Sequence, residues 1–332
     1  IFNKQDIHKL KLPEVTENNY GLFNSNMIHN VIYLIQFLRK YNNVFVPFQF
    51  FNSDKNMNDI LELNNFSLYK TDSGKLLHTI IDIYLKNFYE MIPHLIIWHN
   101  KNTYYYDRNF YIYSKKLLCN KQIRFILFKI TFILKSNFNT THSNIILYDK
   151  KLNIAERFEP YGYSWDDNFN PIIDIDIFDK KMEKELKKTF SDDMIYKTPA
   201  DFLDKTKFQL ISGENYSENK KLADPTGYCL AWSYWFLELK LKNPDIDTKI
   251  LLERFLNEIL SNNNEDTENL IIKYIRNYSK TLDNMKNDFF REIKLEDNKF
   301  YNINYDNITT NKIISNINKI FKDLYSDLFK LR

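Results

Sequence analysis

Residues 224–242 read DPTGYCLAWSYWFLELKLK, and this stretch decides the fold. Positions 224–227 combine Asp, Pro, Thr and Gly, a composition that predicts a tight turn. A helix is then predicted to begin at Cys229, and its residues are apolar on nearly every side. Such a helix belongs in the middle of a domain, so the sequence predicts a buried central helix whose first turn carries a cysteine.

The segments on either side of this helix predict the rest of the fold. Short runs rich in β-branched and aromatic residues predict strands at 95–98, 124–134, 144–148, 154–158 and 208–211. Apolar residues at helical spacing predict helices at 27–38, 76–89, 178–190, 248–260, 267–293 and 312–330. This order indicates an α+β fold with a mostly antiparallel central sheet and helical N- and C-terminal flanks. We divide the chain into a helical accessory region, 1–91, a core, 92–262, and a helical extension, 263–332.

The composition of the 332 residues excludes several classes of protein. Hydrophobic residues make up 44% and aromatic residues 16%, which argues against global disorder. There are 46 basic and 43 acidic residues, a near balance that gives no dedicated nucleic-acid or membrane-binding surface. No apolar run reaches the ~20 residues needed to span a bilayer. A globular protein without a dedicated nucleic-acid or membrane partner is therefore favoured.

Cysteine and histidine usage indicates a reducing compartment and no metal. The two cysteines, Cys119 and Cys229, cannot form a disulfide framework. No Cys/His cluster has ligand spacing, and no glycine-rich loop could hold a phosphate. We therefore expect neither a metal nor a cofactor.

The position of Cys229 at the start of the central helix suggests a nucleophile. A helix N-terminus carries partial positive charge and N–H groups without intrahelical partners. Both features favour a thiolate, and the N–H groups can also bind an oxyanion. The alternative is that Cys229 is an ordinary small residue of the core.

A cysteine nucleophile needs a base, and His142 is the best placed of the six histidines. It follows the polar loop 137–141 and precedes the strand 144–148. We expect its imidazole at the edge of the sheet rather than inside it. The alternative is a surface-loop histidine without a catalytic role.

Glu159 is the candidate that would orient this base. With a turn at 149–153, strand 154–158 runs back beside strand 144–148 and brings Glu159 next to His142. One alternative is a surface carboxylate paired with Arg157. Glu156 is a second candidate acid, but strand alternation places it on the opposite face. Asn144 is the fallback acceptor, two residues from His142.

The order His142, Glu159, Cys229 resembles that of the clan of ubiquitin-like-protein proteases and adenovirus-type maturation proteases. In that clan the histidine and the acid flank a hairpin at this 17-residue spacing, and the cysteine opens the central helix after a glycine-containing turn. HSNIILYD at 142–149 matches the first element, and GYC at 227–229 matches the second less cleanly. The segments HSNIILYDKK…ERFEPYG and DPTGYCLAWSYWFLELKLKNPD also look like segments of proteins of large nucleocytoplasmic DNA viruses. The resemblance covers about residues 92–250.

This resemblance implies a papain-like or Ulp-like cysteine protease core. It makes Cys229 the nucleophile, His142 the general base and then acid, and Glu159 the orienting residue. The substrate would be a viral polyprotein or a ubiquitin-like conjugate, in the host-cell cytoplasm or the virion, with other virion proteins as further partners.

One departure from the clan concerns the oxyanion. The clan places a glutamine about six residues before the cysteine, where this chain has Ala223. Gln209 could substitute if residues 212–223 are an insertion; otherwise backbone amides would have to form the oxyanion hole. The two alternative functions are an acyltransferase of the same clan, as in bacterial effectors that use a His–Glu–Cys site, and an inactive structural or scaffolding virion protein.

Overall fold

The structure, a computed structural model, describes most of the chain but not all of it. The described residues are 10–15, 23, 26–50, 91–93, 95–98, 104–105, 110–133, 141–162, 175–203, 208, 228–260, 267–300 and 305–330.

The described strands form one large sheet and one small one. In chain order they are β1 (Val44–Phe45), β2 (Phe48–Phe50), β3 (Met91–Pro93), β4 (Leu95–Trp98), β5 (Tyr104–Tyr105), β6 (Phe125–Ile133), β7 (Thr141–Asp149), β8 (Ile154–Phe158) and β9 (Ile195–Lys197). The large sheet has the order β5-β4-β6-β7-β8-β9, and β1 also pairs with β6. β2 and β3 pair separately.

The centre of the large sheet is antiparallel. β6 and β7 pair along their whole length, from Phe125 opposite Asp149 to Ile133 opposite Thr141. β7 and β8 form the expected hairpin, and Asn153 in its turn has φ 55°, a left-handed conformation that Asn tolerates. β1, β4 and β9 add parallel pairings at the two sides. The expected mostly antiparallel sheet is thus confirmed.

The helices confirm the α+β class. They are α1 (Met27–Lys40), α2 (Phe110–Cys119), α3 (Ile175–Thr189), α4 (Cys229–Lys242), α5 (Thr248–Leu260), α6 (Thr267–Glu292) and α7 (Asn307–Lys330). Every residue of α4 from Cys229 to Leu241 is buried, as its all-round apolar sequence predicts. α4 packs against β7, and this contact brings its first turn to the start of that strand.

Residues from all three segments into which the sequence was divided (1–91, 92–262 and 263–332) contribute to one hydrophobic core. It includes Phe37 of α1, Phe128 of β6 and Tyr278 of α6, and the ring of Phe37 stacks on Tyr234 of α4 with centroids 5.1 Å apart. β1 also joins the central sheet from the first segment. The boundaries near 92 and 262 remain a prediction. None of the helices in the described part of the chain has the length and apolar character needed to cross a membrane.

Several sequence expectations lie outside the described residues. These are the helix at 76–89, the turn at 224–227 and the oxyanion candidate Gln209. Phe208 is helical, whereas a strand was expected there. Helix α2 was not predicted at all.

Candidate active site

Three elements meet at one point in the fold: the start of β7, the chain just after β8, and the first turn of α4. They bring together His142, Glu159 and Cys229. The Nε2 atom of His142 lies 2.5 Å from Oε1 of Glu159, and the two side chains are 2% and 0% exposed. The Cys229 thiol shares a hydrogen bond with the His142 ring. Since Nε2 is engaged by Glu159, that bond falls to Nδ1.

The location of His142 corrects one expectation. Its imidazole is buried, not at the edge of the sheet, because β7 is an interior strand between β6 and β8. The ring stacks on Phe132 of β6 at 6.5 Å and contacts the ring of Tyr161 at 4.7 Å. These aromatic neighbours restrict the imidazole to the orientation in which its two nitrogens meet Glu159 and Cys229.

The turn that follows β8 fixes Glu159. Its backbone carbonyl accepts from the N–H of Gly162 at 2.9 Å, and Gly162 has φ 82°, a conformation that glycine adopts without steric cost. The N–H of Tyr161 donates to the Glu159 carboxylate at 2.9 Å. The backbone of this turn therefore positions the carboxylate of Glu159, in addition to the contacts that it makes with other elements.

Asn144 lies behind Glu159. Its Nδ2 donates to Oε2 of Glu159 at 2.8 Å, and its Oδ1 accepts from Arg157 at 2.9 Å. The side-chain acceptor of Asn144 is thus occupied by Arg157 and is not turned to His142. In this arrangement Glu159 contacts the imidazole, and Asn144 holds Glu159.

A buried ion pair extends this network to helix α3. Arg157 donates twice to Asp179, at 2.6 and 2.8 Å, and the hydroxyl of Tyr196 donates to the same carboxylate at 2.8 Å. Arg157 and Glu159 are 3.6 Å apart, so the alternative pairing of Glu159 with Arg157 exists, but both groups are buried and not on the surface. Alternation along β8 places Arg157 on the face of Glu159, whereas nothing in the sequence identified Asp179.

Glu156 faces away from this network, as strand alternation predicts. Its carboxylate accepts from the hydroxyl of Thr248 at 2.7 Å and lies 3.2 Å from the ammonium of Lys240. These partners belong to α5 and α4, so Glu156 joins the helices to the sheet rather than contacting His142.

The start of α4 leaves backbone donors beside the cysteine. The first helical hydrogen bond of α4 runs from the N–H of Trp232 to the carbonyl of Tyr228, so the N–H groups of 229–231 have no intrahelical acceptor. No side chain at Tyr228 caps the helix. The hydroxyl of Ser233 lies 2.8 Å from the carbonyl of Cys229 and 3.2 Å from that of Ser143, which ties this turn to β7.

The electrostatics of the site keep the imidazole charged. Burial alone would lower the pKa of His142, but the Glu159 carboxylate and the hydrogen bond with Cys229 outweigh it and raise the pKa to about 10. Burial would likewise raise the pKa of Glu159, yet His142 and Arg157 hold it below its ordinary value. At neutral pH the pair is therefore an imidazolium against a carboxylate.

This ion pair predicts a pH-dependent contribution to stability. Because the pKa of His142 rises on folding, its contribution is complete below about pH 6.5 and is lost as pH rises through about 10. We expect the difference in unfolding free energy between wild type and His142→Gln to be largest at pH 6 and to shrink by pH 10. Chemical denaturation across this range measures it.

The control for this measurement is Lys151→Gln. It removes an exposed pair with Asp245 whose two side chains are both more than half accessible, so its effect should be small at every pH. A His142→Gln difference that stays constant from pH 6 to pH 10 would contradict the shifted titration of the imidazole.

The described residues form no metal site. Within those residues no group of three or more His, Cys, Asp or Glu side chains could hold a metal ion. Gln209 and Ala223 lie outside them, so the glutamine proposed for the oxyanion remains a prediction.

Comparisons with known proteins give one sequence relative and several similar structures. No model of a protein family matches the sequence. A putative ankyrin repeat protein of Acanthamoeba polyphaga mimivirus is 31% identical over 192 residues, which are 57% of this chain and 24% of that protein. The chain therefore spans about a quarter of the length of that curated relative.

Two of the similar structures are those of chlamydial effector proteins. ChlaDUB1 of Chlamydia trachomatis aligns with a TM-score of 0.39 and 11% identity, over 80% of this chain and 85% of that one. ChlaDUB of Chlamydia abortus aligns with a TM-score of 0.31 and 13% identity, over 74% of this chain and 97% of that one.

Proposed function

We propose that the protein is a cysteine peptidase in which Cys229 is the nucleophile, His142 the base and Glu159 the orienting acid. The observation that carries the proposal is the buried contact between His142 and Glu159, 2.5 Å, with the thiol of Cys229 on the other ring nitrogen. A nucleophile, a base and an orienting group in this chain of contacts are what thiol hydrolysis requires.

Acylation would use the atoms already in contact. Because the imidazole is already protonated, the proton of Cys229 is held on Nδ1 of His142, and the thiolate attacks the carbonyl carbon of the scissile amide. The N–H groups at the start of α4 stabilise the negative oxygen of the tetrahedral intermediate. His142 then gives its proton to the leaving amine, and a thioester on Cys229 remains. Glu159 keeps the imidazolium stable and correctly oriented throughout.

In deacylation water is the nucleophile, and His142 acts as the base that activates it. His142 takes a proton from water, and the resulting hydroxide attacks the thioester. The carbon–sulfur bond then breaks, so the carboxylic acid leaves and the thiolate of Cys229 beside a protonated His142 is restored. The substrate we propose is a viral polyprotein or a ubiquitin-like conjugate. An amine in place of water at this step would make the same site an acyltransferase.

Thiol reactivity tests the proposal without a known substrate. We expect iodoacetamide to alkylate Cys229 about tenfold faster than Cys119, or more, near neutral pH. Accessibility alone favours the opposite order, because Cys119 is exposed and Cys229 is buried. Cys119 also lies at the C-terminal end of α2, where the helix dipole disfavours an anion. Peptide mapping after timed alkylation gives both rates from one sample.

Equal or reversed alkylation rates would contradict an activated thiol at Cys229. They would favour the alternative function, an inactive scaffolding protein. A second reagent, ubiquitin with a C-terminal propargylamide, separates the two substrate classes. Covalent capture at Cys229 would favour ubiquitin-like conjugates, whereas fast alkylation without capture would point to a polyprotein substrate.

A further inference from the structure

Arg157, a buried arginine of β8, lies 3.6 Å from the carboxylate of Glu159 and is 2% exposed. Its Nε and one terminal nitrogen donate to the two oxygens of Asp179 in α3, at 2.6 and 2.8 Å. The other terminal nitrogen donates to Oδ1 of Asn144 in β7 at 2.9 Å. One guanidinium thus joins helix α3 to the strand that carries His142.

The contact with Arg157 determines how the amide of Asn144 is turned. A guanidinium only donates hydrogen bonds, and an ionised carboxylate only accepts them. Between the two, the amide has one favourable orientation, with Oδ1 toward Arg157 and Nδ2 toward Oε2 of Glu159 at 2.8 Å. Turning the amide around would set donor against donor and acceptor against acceptor, which is costly where the groups are buried.

The amide in turn determines which oxygen of Glu159 is left for the base. Oε2 accepts from Nδ2 of Asn144, so Oε1 remains for His142 and for the N–H of Tyr161. Without the amide donor, the carboxylate would be free to rotate away from this division of its two oxygens. The orientation that serves the imidazole therefore depends on the amide, and the amide depends on Arg157.

Asp179 and Tyr196 keep the guanidinium in place. Asp179 balances the charge of Arg157 through two hydrogen bonds, and the hydroxyl of Tyr196 in β9 donates to the same carboxylate at 2.8 Å. A bidentate pair of this kind is geometrically specific, because the planar guanidinium and the planar carboxylate meet edge to edge. Elements α3 and β9 therefore hold one edge of the guanidinium, and Asn144 receives a donor that remains.

We propose that Arg157 is a positioning residue of the active site. It fixes the amide of Asn144, and the amide holds the carboxylate of Glu159 in the orientation that serves the imidazole. The inference rests on the proposed function, since it concerns the same acid and base. A buried ion pair adds little to stability, because the cost of taking two charges out of water offsets their attraction. Orienting the carboxylate gives the pair of Arg157 and Asp179 a role that stability alone does not.

Removing the pair as a whole separates this role from one in folding. The pair variant, Arg157→Met/Asp179→Leu, takes away both charges, so no unpaired ion stays buried and the net charge of the site is unchanged. We expect this variant to fold. We also expect alkylation of Cys229 by iodoacetamide near neutral pH to slow about tenfold, the effect of weakening one hydrogen bond to a charged group. The thiolate is affected because its imidazolium partner depends on Glu159.

A double-mutant cycle with Asn144→Ala tests whether the effect passes through the amide. If Arg157 acts by orienting Asn144, the pair substitution should slow alkylation in the wild-type background and cause no further slowing in Asn144→Ala. A pair that acts only on packing would slow alkylation by the same factor in both backgrounds. Equal factors, or a wild-type rate in the pair variant, would overturn the inference.

Two further variants complete the test. Glu156→Gln/Lys240→Met is the matched control, because it removes another buried pair, 3.2 Å apart, that joins β8 to α4 and faces away from Asn144. It should leave the alkylation rate of Cys229 unchanged. Asp179→Asn decides the matter if the pair variant does not fold, because it keeps the shape of the anchor, removes its charge and should also slow alkylation. A wild-type rate in Asp179→Asn, or loss of folding in both, would overturn the inference.

The wild-type protein separates this inference from the proposed function. Alkylation of Cys229 no faster than that of Cys119 would reject the peptidase before any variant is compared. Fast alkylation in wild type that the pair variant leaves unchanged would reject the role of Arg157 alone.

Discussion

Replacing Cys229 by Ala is expected to abolish capture by ubiquitin propargylamide and all turnover. The sulfur of Cys229 is the atom that would form the thioester, and its thiol shares a hydrogen bond with His142. Loss of the nucleophile from a catalytic unit of this kind costs a factor on the order of 10⁶ in turnover. Mass spectrometry of the intact protein after incubation with the reagent measures the capture.

The fold should survive this substitution. Cys229 is a small buried residue at the first position of α4, and Ala is the best helix former. Cys119→Ala is the matched control, because it removes the exposed cysteine and should leave capture intact. If Cys229→Ala were still captured and Cys119→Ala were not, the nucleophile would be Cys119.

The elements that could be predicted from sequence are those whose pattern repeats over many residues. The all-round apolar stretch after residue 228 predicted a buried helix, and α4 is buried along its length. Alternation and a polar turn predicted the hairpin of β7 and β8, and its geometry placed Glu159 beside His142. The spacing of two residues on one hairpin is fixed by strand pairing, so a single sequence was enough.

The parts that were missed depend on contacts between distant segments. β1 and β9 are two and three residues long, too short to show a period, and each pairs in parallel with a strand far away in sequence. The burial of His142 follows from rings at Phe132 and Tyr161 that its own neighbours do not reveal. Lys129 stands in an apolar strand, where only the position of α4 gives it a partner.

The second large effect is expected from Glu159→Gln. The amide cannot stabilise the imidazolium, and loss of the corresponding acid in a related triad reduces turnover roughly 10⁴-fold. From the sequence alone the fold was expected to remain intact. The structure predicts a loss of folding stability as well. Both carboxylate oxygens of Glu159 accept hydrogen bonds, one from His142 and Tyr161 and the other from Asn144. An amide NH₂ must meet one of these donors, at a cost of about 1–3 kcal/mol.

Two variants decide whether the loss comes from the orienting charge. Glu156→Gln removes a carboxylate of the same hairpin that faces Lys240 and Thr248, so it should lower stability while leaving turnover intact. Asn144→Ala removes one donor to Glu159 but leaves the contact with His142, so it should reduce turnover less than Glu159→Gln does. Full turnover in Glu159→Gln together with its loss in Asn144→Ala would move the orienting role to Asn144. The contacts predict the opposite order, because Glu159 contacts the imidazole directly and the side chain of Asn144 contacts Glu159 instead.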